Sequence, residues 1–303
     1  VVNPGEGTVP QVSEENPFVM EIYSGWNLIG NPYNFRISWD DVLIANGNPS
    51  GISRIKTYSG GTLSESATID RYRGGFVFSS AATATTISIP VTRNSSLGGG
   101  RVESVAKQTD ISNASWELGL QLSMGELRNE LGGVGMHPEA SIYGKDEYDE
   151  VAVPMLPDMN FFDIGFEHPE YNAFFNKEIV PTANEYTWDF KINSQTDQPI
   201  TLSWDNQNLG DNDYQLYLFN PYNLQVVDMR NENQYVISNT SKNLKVFFGK
   251  QEYINRQLGS TSHLMGEPYP NPTSGTVTIP FTVPNTSNNS TEVVYTIYDN
   301  TGK

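Results

Sequence analysis

Oxygen ligands crowd two short stretches of the sequence, KDEYDE at 145–150 and WDNQNLGDNDY at 204–214. Asp146, Asp149, Asp205, Asp211 and Asp213 put hard carboxylates into turn-prone sequence, which is what a calcium ion seeking about six to eight oxygens requires. Neither stretch follows the EF-hand register: counted from Asp205, the third ligand position holds Gln207 and the fifth holds Leu209. Calcium is the one cofactor the residues offer, and it competes with plain acidic turns.

Other chemistry finds less support. Asp146, Glu147, Asp149, Glu150, Asp158 and Asp163 could hide a carboxylate pair at glycosidase separation, which would make residues 111–258 a hydrolase. In an acidic chain, solvated loops are the simpler reading. His137, His168 and His263 lie far apart, and the first two precede proline, so they lack metal-ligand spacing. With no cysteine there is no thiolate site or disulfide. A Gly-x-Ser-x-Gly elbow is missing, and GGG at 98–100 lacks the Lys-Ser/Thr and helix of a phosphate loop. Trp26, Trp39, Trp116, Trp188 and Trp204 could include a sugar-stacking platform. Trp188 and Trp204, however, run in phase with Phe190 and Leu202, which points them into a core. The chain reads as non-catalytic.

The elements that carry these residues are strands. The chain has 303 residues, with 26 Gly, 18 Pro and an aromatic content of 12%. Short strands joined by frequent turns follow from that composition, with amphipathic helices nearly missing. With 18 Lys+Arg against 35 Asp+Glu, the net charge of −17 makes nucleic acid and anionic membrane poor partners. No apolar run is long enough for a membrane-spanning helix. The opening VVNPGEG carries neither Met nor a secretory leader and reads as the start of a processed or excised piece.

Residues 1–16 read as a linker or the tail of a preceding module. A small β module follows at 17–98, with one short helix in SWDDVLIANG: Ser38 caps it, Asp40 and Asp41 suit its N-terminus, and Asn46-Gly47 closes it. Polar, Gly-rich 99–110 is a second linker. Residues 111–258 form a larger domain whose YTWDFKIN and PITLSWDN alternate with period two, as half-buried strands do. Its stretch 124–187, rich in Gly, Pro and acids, is expected to be long loops draped over a sandwich. NPYNF at 31–35 and NPYNL at 220–224 share turn chemistry without matching flanks. The fold class is all-β: tandem β-sandwich modules, immunoglobulin-like or jelly-roll, followed by a partial immunoglobulin-like domain at 259–303.

That closing segment, YPNPTSG leading to TVTIPF and then VVYTIYDNTGK, resembles the start of the C-terminal sorting domain of cargo exported by the type IX secretion system of Bacteroidetes. Pro270, Asn271, Pro272 and Gly275 carry the motif. Val277, Ile279, Phe281 and Val283 share one face of the alternating strand, a face that two strands alone cannot bury. The upstream GWNLIGNPYNFRISWDDV and DYQLYLFNPYNLQVVDMR are similar to β modules found before such domains. The resemblance implies an extracellular or outer-membrane surface location and the type IX machinery as a partner. The resemblance defines no activity; with no catalytic constellation in the residues, the expected role is structural or adhesive, in a stalk, fibre or surface layer, through self-assembly or neighbouring surface proteins. The alternative is a polysaccharide-binding accessory module of a secreted enzyme.

Overall fold

A computed structural model describes residues 12–49, 51–91, 110–154, 162–169, 173–195, 198–237, 242–260, 268, 274–281 and 296. The chain is all-β. In the small module the strands are β1 (Phe18–Ile22), β2 (Gly25–Gly30), β3 (Ile37–Ser38), β4 (Ile55–Ser59), β5 (Thr62–Ser66), β6 (Thr68–Ile69), β7 (Gly74–Ser79) and β8 (Thr85–Ile89). One helix, α1 (Trp39–Ala45), lies between β3 and β4. The strands run in the order β5-β4-β7-β2, and β1 pairs with β8 apart from them. Ile22, Ile29, Trp39, Val42, Ile55, Ile69, Val77, Ile87 and Ile89 fill the core.

The helix forms where its caps predict. Ser38 Oγ accepts from the Asp41 N–H at 3.1 Å, satisfying an orphan donor, while Gly47 takes the left-handed φ of +78° that ends the helix. Asn46 then does a strand's work: its Nδ2 donates to the Ser88 carbonyl at 2.8 Å and its Oδ1 accepts from the Ser88 N–H at 2.9 Å. The helix is thereby sewn to β8.

The larger module contains β9 (Trp116–Met124), β10 (Leu127–Met136), β11 (Glu150–Val151), β12 (Phe162–His168), β13 (Ala173–Val180), β14 (Tyr186–Ser194), β15 (Ile200–Trp204), β16 (Gln215–Asn220), β17 (Gln225–Asp228), β18 (Gln234–Ile237) and β19 (Asn243–Gly249). One layer runs β18-β15-β9-β10 and the other β17-β16-β19-β14-β12, with β13 bridging them through a parallel pairing to β10 and an antiparallel one to β12. Leu118, Leu120 and Leu122 from the first layer meet Trp188, Phe190, Leu218 and Val246 from the second in one apolar core. The alternation in β14 and β15 does point Trp188 and Trp204 inward, and both are buried.

The stretch 124–187 is not mainly loop: it holds β10, β12 and β13, the middle of the sheet system. Glycine misleads here because it serves packing, not turning. A Cβ on Gly132 would meet the Leu120 carbonyl and Ile164 Cδ1, and one on Gly135 would meet the Trp116 carbonyl, with Ile179 Cδ1 at 2.9 Å. The missing side chains let the layers close.

A second element absent from the sequence reading is helix α2 (Gln251–Ser260), which follows β19. Its Tyr253 and Ile254 cover Phe219 and Phe247 on the outer face of the second layer, and the Tyr253 hydroxyl lies 2.7 Å from Thr187 Oγ1. The two NPYN turns do share their chemistry. Asn31 Oδ1 accepts from Tyr33 N–H at 2.9 Å, and Asn220 Oδ1 accepts from Tyr222 N–H at 3.0 Å.

The modules share a ladder. β5 pairs in parallel with β10, Thr62 opposite Arg128 and Leu63 opposite Asn129, so the described strands run without a break from one module into the other. Of the proposed linkers, only 12–16 and Asp110 are described, and 259–303 is described only at the residues given above.

Gly135 and Gly119 differ in what a side chain would meet. Gly135→Ala should cost about 1–3 kcal/mol by forcing backbone apart. Gly119→Ala, in β9 with open space around its Cα, should be close to neutral in the same urea denaturation series.

Candidate functional site

The seam between the modules concentrates charge. In β4, Ile55 enters the small-module core, so Lys56 points to the opposite face, toward the second module. Its side chain is only 3% exposed. The hairpin sets Lys56 opposite Glu65, and Lys56 Nζ donates to Glu65 Oε2 at 2.7 Å and to Glu150 Oε1 of β11 at 2.9 Å. Lys177 of β13 stands opposite Glu150, 3.9 Å away, and donates to Glu117 of β9 at 2.7 Å. Charges therefore alternate from β5 to β9 as Glu65, Lys56, Glu150, Lys177 and Glu117. Burial pulls the Lys177 ammonium down, but Glu150 and Glu117 outweigh it and leave it raised.

Above this row lies a cleft of about 240 Å³ bordered by Trp26, Ser53, Arg54, Phe78, Lys145 and Glu147. Trp26 meets Phe78 edge-on at 5.4 Å, and Lys145 Nζ stands 5.2 Å from the Phe78 ring centre. Arg54 is held by Asp40 at 3.2 Å and Glu65 at 3.6 Å. The cleft can offer a ligand an aromatic wall and charges of both signs.

The structure splits the candidate calcium ligands into separate places. Asp146 and Asp149 do come together, but as a loop scaffold. Asp146 accepts from the N–H groups of Ser141 at 2.7 Å and Tyr148 at 2.8 Å. Asp149 accepts from Ile179 N–H at 3.0 Å and Asp146 N–H at 3.3 Å. In the other stretch Asp205 accepts from Gln207 N–H at 2.9 Å, Asp211 is exposed, and Asp213 pairs with Lys250 at 3.0 Å. Arg230 occupies the middle of that loop. Its guanidinium donates to the Tyr214 carbonyl at 2.7 Å, the Gly210 carbonyl at 3.0 Å and Asn212 Oδ1 at 2.6 Å. Among the described residues no three acids or histidines are grouped to hold a metal.

Asp163 lies apart from the Asp146–Glu150 run, accepting from Asn193 Nδ2 at 2.8 Å, and Asp158 is outside the described residues. Burial pushes the Asp149 carboxyl up to about 6, against the lowering effect of the Ile179 bond. It does the same to Asp163, also to about 6, against the Asn193 and Asn176 bonds. His137 stacks on Tyr148 at 4.0 Å, and His168 stacks on Phe175 at 4.1 Å with Nε2 3.2 Å from Glu178. His263 is outside the described residues. So are Pro270, Asn271, Pro272 and Val283; Gly275 is described and exposed. On the expected apolar face Val277 is 37% and Phe281 42% exposed, with Ile279 half-buried.

Lys56 stands outside the residues singled out from the sequence. The Gly60-Gly61 turn was a signal for its pairing with Glu65, since it sets the hairpin register. Nothing local announced Glu150.

No protein-family model, curated protein or solved structure matches this chain. Fold and site define it as an all-β chain of two modules, joined by a shared ladder and a row of alternating charges centred on buried Lys56.

Lys56→Met keeps the aliphatic stem but leaves two carboxylates facing each other across the seam. Since both are partly solvated, the loss should be about 1–3 kcal/mol, below that of a fully buried pair. Coupling with Glu150→Gln in a double-mutant cycle should exceed about 0.5 kcal/mol, whereas Lys245→Met on the outer face should change little.

Asp149 and Asp163 set a pH dependence. Their folded values lie above the ordinary carboxyl value of about 3.9, so the folded chain keeps protons that the unfolded chain releases. The contribution is fully present below pH about 4 and is lost as pH rises through about 6. The urea midpoint should fall over that interval, and Asp163→Asn should flatten the fall.

Proposed function

We propose that the chain is a non-catalytic, structural or adhesive part of an exported bacterial surface protein, with a type IX sorting signal in 259–303. The observation that carries the structural reading is the seam. A fibre or stalk built of modules needs its joints fixed, and a ladder crossing between modules with Lys56 clamped by carboxylates from each supports that use. An immunoglobulin-like or jelly-roll arrangement of the modules is in keeping with the two layers around one core in the larger of them. The sorting reading rests on the motif around Pro270 to Gly275. Of the acids that were candidates for hydrolysis, Asp146 and Asp149 hold backbone N–H groups, Glu150 is ion-paired and Asp163 is held by side-chain amides, which favours a scaffold role over acid-base work.

One observation favours a second reading. The seam cleft with Trp26 and Phe78 beside Arg54, Lys145 and Glu147 suits a single acidic or neutral sugar unit, as a polysaccharide-binding accessory module would need.

Expressed behind a secretory leader in a type IX-competent host, the chain with the native continuation of 259–303 should reach the cell surface, and alanines at Pro270, Asn271 and Pro272 should hold it in the periplasm. Surface delivery that ignores those substitutions would remove the sorting reading. A glycan array separates the roles: saccharide binding lost in Trp26→Ala would favour the accessory module, and a blank array the structural one.

A further inference from the structure

The outer edge of the small module leaves strong binding groups unused. β2 ends its sheet: β7 pairs with it from Gly25 opposite Ser79 to Gly30 opposite Gly74, and among the described residues no strand flanks its other side. Just beyond, Asn31 N–H donates to the Arg73 carbonyl at 2.8 Å. Inward and outward groups alternate along an antiparallel ladder. The backbone N–H and C=O of Trp26, Leu28 and Gly30 therefore face away from β7, and Leu28 is 69% exposed.

At the Gly30 end stands the turn Arg71-Tyr72-Arg73. Tyr72 is 80% exposed and holds a φ of +61°, a strained conformation for a bulky side chain, which no packing within the module repays. Arg71 and Arg73 are exposed, and their side chains enter no ion pair or hydrogen bond among the described residues, although adjacent Arg36 is held by Asp70 at 2.5 Å. In a chain of net charge −17 this is a local positive point.

We propose that β2 is a docking edge for an extended acidic protein segment, which joins the sheet as an added strand and sets a carboxylate against Arg71 and Arg73. Strand addition uses repeating main-chain donors and acceptors, here on every second residue and so about 6.8 Å apart. A sugar chain does not present that repeat. Antiparallel addition places the guest's N-terminal end beside Gly30, where the arginines can grip a carboxylate in forked fashion. Tyr72 and Leu28 are then covered, and an edge that would otherwise invite indiscriminate pairing is restricted to acidic guests. The inference is independent of where the chain resides.

The test is fluorescence anisotropy of the full chain with labelled peptide DDVTVTV, its charge-reversed form KKVTVTV, and DDVTVTV methylated on alternate backbone nitrogens. The first should bind, and the second should bind at least about tenfold more weakly, a difference of about 1.4 kcal/mol. Methylation in the register facing β2 should abolish binding to the unmodified protein. Arg71→Ala with Arg73→Ala should lose about tenfold or more. Leu28→Pro removes only an outward N–H, so it should abolish binding with melting changed by a few degrees at most. Equal affinity for both charge forms, retention of the methylated peptide, or no binding of DDVTVTV at millimolar concentration would each overturn the proposal. Polygalacturonate binding that the double arginine variant loses and Leu28→Pro keeps would also overturn it, in favour of an anionic-glycan site.

Discussion

The buried ammonium of Lys56 is the constraint around which the seam is organised. A charge taken out of water is tolerated only when opposite charges and hydrogen bonds replace its hydration, and here one carboxylate comes from each module. Glu65 is supplied by the neighbouring strand of its own hairpin, whereas Glu150 arrives from a two-residue strand that depends on β13 for its position. Lys177 then neutralises the far side of Glu150. The arrangement is self-consistent only if β4, β5, β11 and β13 are all in register, so a local charge requirement specifies a long-range geometry.

Close to the seam, two acidic residues hold a loop. Asp146 and Asp149 collect backbone N–H groups, and Asp149 reaches across to Ile179, which pins the 141–151 segment to β13 close to the seam. Burial makes that carboxylate hold its proton more tightly. Such groups resemble ligands in sequence because loop scaffolding and cation binding recruit the same oxygen-rich, turn-prone residues. The distinction lies in whether the oxygens are already taken.

Much of the framework was legible locally. Ser38, Asp41 and Gly47 defined α1, and the period of Trp188, Phe190 and Ile192 defined β14, because caps and alternation act over a few residues. The central strands were not legible, since Gly132 and Gly135 carry a meaning set by Leu120, Ile164 and Trp116 across the fold. Helix α2 was hidden by a weak pattern: Tyr253 and Ile254 are adjacent, and the rest of QEYINRQLGS is mostly polar. The candidate site was half legible. A tight turn placed Lys56 with Glu65, but Glu150 lies 94 residues from Lys56, a distance no local pattern spans.

Arg230 gives the 205–214 loop a cation that is covalently its own. The guanidinium fills an oxygen cage that a free ion would otherwise have to find by diffusion and could leave by dilution. Occupancy of that cage is thus tied to folding of the chain and not to the ionic makeup of its surroundings. A loop built this way carries its own positive charge at its centre, while Asp205 braces it from within by accepting from the Gln207 N–H and Asp211 faces outward.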